Sequence, residues 1–231
     1  TAFEVINGLF PEALEGPRPR LGLLPLGTGN SFLRDFGPGT VEHALEAIAA
    51  GRARACDVNE VRHEAGVVYS MNLVSLGFVA DVAVTASRGF KRLGAAGYLL
   101  AVGAELARLE PRAFPLRHDD EPALDRRRCL FLSFNNSRFT GGSMLIAPHA
   151  DPADGLIECV RWDPVGRLRL VWNLPTLFTG AHIRHPRASR RAARRVEFAL
   201  DGPVDVMIDG EVLRLACRSI EVRPAAIDVL A

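Results

Sequence analysis

Lysine is nearly absent from this chain: Lys91 is the only one among 28 basic residues. We assign that skew to genome composition rather than to function. Excess charge is absent too, with 28 Lys plus Arg against 27 Asp plus Glu and a formal net charge of +1. That balance excludes a general polyanion binder and leaves room only for a local basic patch. No C-x-x-C pair occurs. Cys56, Cys129, Cys159 and Cys217 lie far apart in apolar, strand-like runs, which reads as reduced core cysteines of a cytosolic protein rather than a disulfide framework. In the apolar middle the longest uncharged stretch, Gly94 to Ala104, falls far short of the ~20 residues of a membrane-spanning helix. The opening Thr-Ala-Phe-Glu has no basic region, so no signal peptide is expected.

What is present is an ordinary globular balance. Hydrophobic residues make up 48% and charged residues 24% of 231 residues, enough chain for one large domain or two small ones at ~150 residues each. Residues 1 to 10 read as an amphipathic helix with Phe3, Ile6 and Phe10 at helical spacing. Nothing precedes that helix to cap or pack it, and the expectation is that the front of the protein is missing from this record. A Pro/Gly-rich loop follows. Leu21 to Leu26 suits a short buried parallel strand. Ser31 to Phe36 looks helical, and Thr40 can cap a helix over Val41 to Ala50, with Ala44, Leu45 and Ile48 inward and Gly51 at its stop.

From Ala55 onward short strands dominate. Candidates are Cys56 to Val61, Val67 to Val74, Cys129 to Phe134, Leu156 to Trp162, Val196 to Leu200, Val204 to Ile208, Val212 to Leu215 and Ile220 to Val222. Asp209-Gly210 between two alternating runs is a strong hairpin signal. So many short strands suggest a sandwich, interrupted by helices over Ala95 to Leu109 and Val165 to Phe178, the second broken by Pro175.

Six groups of residues are candidates for chemistry. In Leu-Pro-Leu-Gly27-Thr28-Gly29-Asn30 a strand runs through a glycine turn into a helix. That arrangement offers free N–H groups to an anion, or is an ordinary β–α connection. It matches neither a Walker loop nor a dinucleotide fingerprint. Asn135 to Gly142 leads into a loop holding Asp151 and Asp154, which suits a hard cation or a solvated turn. Glu211 closes the Asp209-Gly210 hairpin; it is either a rigidly aimed general base or an exposed turn acid. Arg184, Arg187, Arg190, Arg191, Arg194 and Arg195 concentrate positive charge with no aromatic residue between them. They face phosphate or anionic lipid, or form a solvated face, and the missing aromatics weaken single-stranded nucleic acid as a partner. Asp81 sits in an apolar run where an unpaired charge is costly, so it is functional, caps a turn or pairs with Arg88. His182 and His185, at i and i+3, lack a third ligand for zinc.

In this order the pieces resemble the diacylglycerol kinase catalytic family, which includes bacterial lipid kinases and sphingosine kinases. Thr1, Glu4, Asn7 and Gly8 resemble the end of the Gly-Gly-Asp-Gly-Thr element and its helix. Pro25 to Asn30 resembles the second nucleotide motif, and Leu76 to Asp81 the substrate-cleft motif, with Phe90 to Gly94 similar to sphingosine kinases. Asn135, Gly141, Gly142, Pro148, Asp154 and Gly155 follow the middle signature; Gly180 to Pro186 and Asp209-Gly210-Glu211 complete it.

The resemblance implies the rear part of an α/β nucleotide-binding domain over 1–54, with 223–231 returning to it, and a larger β-sandwich lipid domain over 55–222. It implies ATP in the cleft between them, contacted by Thr1, Glu4, Gly27, Thr28 and Asn30. Asp81 would hold the polar head of a lipid substrate and Glu211 would be the general base. A Mg²⁺ ion would take the Asp154 side chain and the carbonyls of Asp151 and Leu156. The implied reaction moves the γ-phosphoryl group of Mg-ATP to the hydroxyl of a diacylglycerol or sphingoid lipid. A cytoplasmic protein held peripherally on anionic membrane is expected, with no nucleic-acid partner and a homodimer left open. Two departures stand out: most of the Gly-Gly-Asp-Gly-Thr loop is absent, and Ser31 replaces an Asp that many bacterial members carry. A soluble-substrate kinase of the NAD-kinase type, or a non-catalytic membrane-binding relative, are the rival readings.

Overall fold

The computed structural model describes residues 2–27, 29–89 and 94–231, with backbone alone at 94–96, 98 and 99. Thr1, Thr28 and residues 90–93 of the sphingosine-kinase-like stretch lie outside the described residues.

The chain begins with helix α1 (Ala2–Leu9), which buries Ile6. Strand β1 (Arg20–Gly22) is shorter and wetter than expected: Leu24 and Leu26 beyond it are exposed. Gly22 makes room for Ile48, whose Cδ1 lies 2.8 Å from where a Cβ would stand. Only a single 3₁₀ turn, Phe32–Asp35, follows. Helix α2 (Val41–Ala49) is capped as expected, with Thr40 Oγ1 accepting from the His43 N–H at 3.2 Å. Its inward residues are Ala44 and Ala47, while Leu45 is 51% exposed; small side chains let the helix lie close on the sheet.

Two six-stranded sheets follow. The first runs β3 (Gly66–Ser70), β2 (Ala53–His63), β14 (Cys217–Leu230), β11 (Arg195–Phe198), β6 (Leu116–His118). Strand β1 adds to β14 in parallel, with Leu21 opposite Val229. The second runs β10 (Ala188–Ala193), β9 (Ile157–Trp162), β8 (Phe131–Asn135), β4 (Leu73–Gly77), β12 (Val204–Ile208), β13 (Glu211–Leu215), antiparallel throughout. Strands β5 (Arg112–Ala113) and β7 (Arg128–Cys129) form a separate pair.

Side-chain alternation decides where the cores lie. In β9, Ile157 and Cys159 join the cluster with Val61, Leu76, Phe134, Val196 and Ile220, between the sheets. Val160 and Trp162 join a second cluster with Phe78, Val82, Ala101 and Leu170. That second cluster lies under α3 (Phe78–Gly89), α4 (Gly94–Ala107) and α5 (Arg167–Asn173), with α6 (Thr176–Thr179) after the Pro175 break. Buried on both faces, β9 is continuously apolar except where its charges are paired. A third cluster joins Ile6, Phe10, Phe32 and Phe36 to Cys56, Val58, Ile227 and Val229. All four cysteines are free and buried.

Candidate functional site

Residues 69–73 are the junction of the site. Asn7 of α1 accepts from the Tyr69 N–H at 2.8 Å and donates to the Tyr69 carbonyl at 2.9 Å. Helix α1, and Glu4 on it, is thereby bolted to the end of β3. The next residues close on the β12–β13 hairpin. Asp209 and Gly210 take φ values of +50° and +96°, the left-handed pair that a tight two-residue hairpin requires. The Asp209 carboxylate accepts from Ser70 Oγ at 2.7 Å and from the N–H groups of Met71, Asn72 and Leu73 at 2.8, 3.0 and 2.9 Å. Burial pushes this carboxyl up, and the four donors pull against it. Glu211, exposed at the start of β13, therefore stands on a clamped turn.

The β3–β4 turn that Asp209 grips is held from its other side. Asn136 Nδ2 donates to the carbonyls of Asp57 and Met71 at 2.8 and 2.9 Å, and Ser137 Oγ donates to Asn72 Oδ1 at 2.6 Å. The run of residues 67–74 is thus two strands, β3 and β4, folded about a gripped turn.

Asp81 lies in the first turn of α3, where a carboxylate suits the helix dipole. The apolar run around it forms this helix; Gly77 starts it with φ +86°, and a Cβ there would meet the Leu130 carbonyl oxygen at 2.4 Å. Asp81 pairs with Arg112 of β5, not with Arg88. Arg112 in turn lies over the Phe114 ring at 5.5 Å. Burial pushes the Asp81 carboxyl up, against the pull of Arg112. The two line a cleft of about 220 Å³ with Phe78, Glu105, Arg108, Leu109 and Glu110.

In the glycine turn, Asn30 (φ +48°) folds back, its Nδ2 donating to the carbonyls of Pro25 and Gly27 at 3.0 and 2.6 Å. Its side chain shapes the turn. Ser31 Oγ accepts from the Gly142 N–H at 2.9 Å, and Asp35, just beyond, pairs with Arg138. The turn is thereby stitched to the Arg138–Gly142 loop.

Asp151 and Asp154 each accept from a backbone N–H two residues on, at 3.0 and 2.9 Å. Asp57 holds their loop: its carboxylate accepts from Gly155 and Ala225, both at 2.7 Å, and its N–H donates to Pro152. Burial pushes the Asp154 carboxyl up against the Leu156 N–H, and the charges of Asp151, Asp57 and Glu158 add to it. Among the described residues no three of His, Cys, Asp and Glu converge on one point, so a cation bound here would take few carboxylates and rely on carbonyls. Asp57, Asp151 and Asp154 crowd one another, and among the described residues none of the three pairs with a cation; such a set suits a hard divalent ion.

Sequence reasoning missed Asp57, although an acid inside a strand is the same signal that singled out Asp81. The basic stretch is mostly edge strand β10. Arg190 pairs with Glu158, Arg191 with Glu121 and Arg195 with Glu197, so much of its charge is spent within the protein. His182 and His185 do not form a metal pair: His182 Nε2 lies 3.0 Å from the Ile146 carbonyl, and His185 Nδ1 accepts from the Arg187 N–H.

Comparison with known proteins gives two family models. Residues 1–61 match the diacylglycerol kinase catalytic domain. Residues 72–231 match the YegS C-terminal NAD kinase beta sandwich-like domain. A diacylglycerol kinase of Mycobacterium tuberculosis is 32% identical over 222 residues, which cover 95% of this chain and 71% of that protein. A YegS-like lipid kinase of Xanthomonas oryzae is 30% identical over 210 residues, 86% of this chain and 66% of its own. The crystal structure of a diacylglycerol kinase from Bacillus anthracis superposes with a TM-score of 0.68 at 17% identity, over 99% of this chain and 72% of that one.

Proposed function

Because the chain belongs to the diacylglycerol and YegS-like lipid kinase family of phosphotransferases, we propose that it transfers the γ-phosphoryl group of ATP to the hydroxyl of a diacylglycerol or sphingoid lipid. In this reading Glu211 accepts the proton of the attacking hydroxyl. Its clamped hairpin keeps the carboxylate aimed without entropy to lose at the moment of reaction. Asp81 and Arg112 hold the polar head of the lipid at the mouth of their cleft. Glu4 and the 25–31 turn, with Gly27, Asn30, Thr1 and Thr28, bind the nucleotide. Asp154, with the carbonyls of Asp151 and Leu156, holds Mg²⁺, which when bound supplies positive charge against the phosphates. Residues 1–54 with 223–231 serve the nucleotide and 55–222 the lipid.

The observation that carries this reading is the junction at 69–73, which ties the helix bearing Glu4 to the hairpin bearing Glu211 through Asn7 and Asp209. Phe3 and Leu213 also pack against the cluster that contains Ile208. The test is transfer of labelled γ-phosphate from Mg-ATP to a panel of lipids by the full-length protein. Label in a lipid, lost with Glu211→Gln, is the expected outcome and identifies the acceptor. Label in a water-soluble acceptor in preference to any lipid overturns the lipid reading. Binding of ATP and lipid without transfer makes the protein a non-catalytic relative.

A further inference from the structure

The helical layer has an apolar outer side. On α5, Leu168 is 79% and Trp172 83% exposed, with Val171 at 45% beside them; on α6, Phe178 is 57% exposed. Positions 168 and 172 are one turn apart and share a face. Exposed apolar residues are ordinary singly but not as three on one face of a helix, at 168, 171 and 172, with a fourth on the next helix. The opposite side of α5 is buried normally, through Leu170.

Along the segment that carries the patch the charge is of one sign. No Asp or Glu occurs between Asp163 and Glu197. Arg167 and Arg169 on α5 and Arg184 and Arg187 after α6 are exposed. Among the described residues none of the four has a carboxylate partner, whereas Arg190, Arg191 and Arg195 do. Apart from Arg194, the basic charge of this segment left unspent therefore lies on or beside the helices that carry the apolar patch. A second copy of this chain meeting face to face would set these arginines against each other. An anionic bilayer offers acyl chains to the apolar residues and phosphates to the arginines.

Resting on the lipid-kinase reading, we propose that the outer face of α5 and α6 docks this protein on an anionic phospholipid bilayer, with Leu168, Trp172 and Phe178 entering the boundary between headgroups and acyl chains. Leu170 shares its buried cluster with Phe78 and Val82, which flank Asp81 on α3. Docking by this face therefore sets the layer that carries the Asp81 cleft against the membrane holding the substrate.

The chain carries its own probe. Of its two tryptophans, Trp162 is 2% exposed and Trp172 83%. Fluorescence is followed as vesicles of phosphatidylglycerol and phosphatidylcholine, or of phosphatidylcholine alone, are added. The expected result is a blue shift with the anionic vesicles, quenched by lipids brominated near the headgroup and absent from Trp172→Phe. The double variant Leu168→Glu with Trp172→Glu is expected to partition at least about tenfold less onto vesicles, with unchanged circular dichroism and thermal unfolding. Arg167→Gln with Arg169→Gln is expected to bind about tenfold or more weakly and with a flatter salt dependence. Phosphorylation of a short-chain, water-soluble diacylglycerol by these variants stays within about twofold of the natural protein, while that of vesicle-borne diacylglycerol falls with partitioning. No shift with anionic vesicles, or undiminished partitioning of the Leu168/Trp172 double variant, overturns the proposal. So does a shift that grows with protein concentration alone, which makes the occupant a second copy. Phosphorylation of neither lipid by the natural protein sinks the kinase reading and leaves the vesicle measurement to decide docking by itself.

Discussion

Asp81 and Asp209 are both acids set in apolar runs, and the fold surrounds them in opposite ways. Asp209 is met by four donors, three of them backbone N–H groups of one turn. Asp81 has an arginine side chain that is itself 43% exposed, at the edge of an open cleft. Backbone donors cannot leave without unmaking the turn, whereas an exposed guanidinium can swing aside or join in holding a ligand. The first arrangement is architecture, and the second has the make-up of the binding device proposed for it.

The sharpest way to break this distinction is Asp209→Ala. It leaves Ser70 Oγ and three N–H groups without an acceptor, each worth about 1–3 kcal/mol when buried. A loss of about 4–6 kcal/mol in denaturant unfolding is expected; a loss under about 1 kcal/mol would mean that the turn holds without it. Next is Gly77→Ala, which puts a methyl group 2.4 Å from the Leu130 carbonyl at a positive φ. A cost of about 3 kcal/mol is expected from strain and overpacking together. Because Gly77 fixes where α3 starts, activity should fall with stability.

Asp81→Asn should separate function from stability. A KM for lipid raised about tenfold is expected, from the loss of a charged contact, with kcat changed less. Burial holds the Asp81 carboxyl above its ordinary range. An acid with a raised folded pKa costs the fold stability while ionised, and the cost fades as pH falls through that raised value toward the ordinary one. The Asn variant should therefore match or exceed the natural protein in stability at pH 7, its margin vanishing on acidification. A margin that widens in acid would show that the Arg112 pair dominates instead. The smallest effect belongs to Thr40→Ala, a control remote from both acids. Losing its bond from the His43 N–H should cost about 1 kcal/mol in thermal unfolding with kinetics unchanged.

Local signals in the sequence carried furthest where one or two residues dictate a conformation. Asp209-Gly210 fixed a hairpin, Thr40 a helix start and Pro175 a break, and all three stand in the structure. Signals failed where tertiary partners decide. The apolar run around Asp81 is assigned no element from the sequence, and it divides between β4 and α3 because Gly77 turns the chain out of β4 against Leu130. Residues 67–74 look like one strand because the grip of Asp209 on their middle comes from 136 residues away, as in the bond to Leu73. The arginines near residue 190 look like a free basic face because the acids that pair with Arg190 and Arg191, Glu158 and Glu121, lie far away in the chain. The family resemblance placed the motifs in order but could not show that Asn7, Asn136 and Asp209 converge on one turn, since no spacing in the chain encodes that meeting.

The most direct measurement takes one sample of Glu211→Gln and follows both lipid phosphorylation and thermal unfolding. With Asp209 and its turn intact, the rate should fall by about 10²–10⁴-fold, the range of a lost general base, while Tm stays within about 1–2 °C, since the change is confined to the surface. An undiminished rate would remove Glu211 from the chemistry. A collapsed Tm would make Glu211 part of the clamp and dissolve the division between the hairpin that holds and the acid it presents.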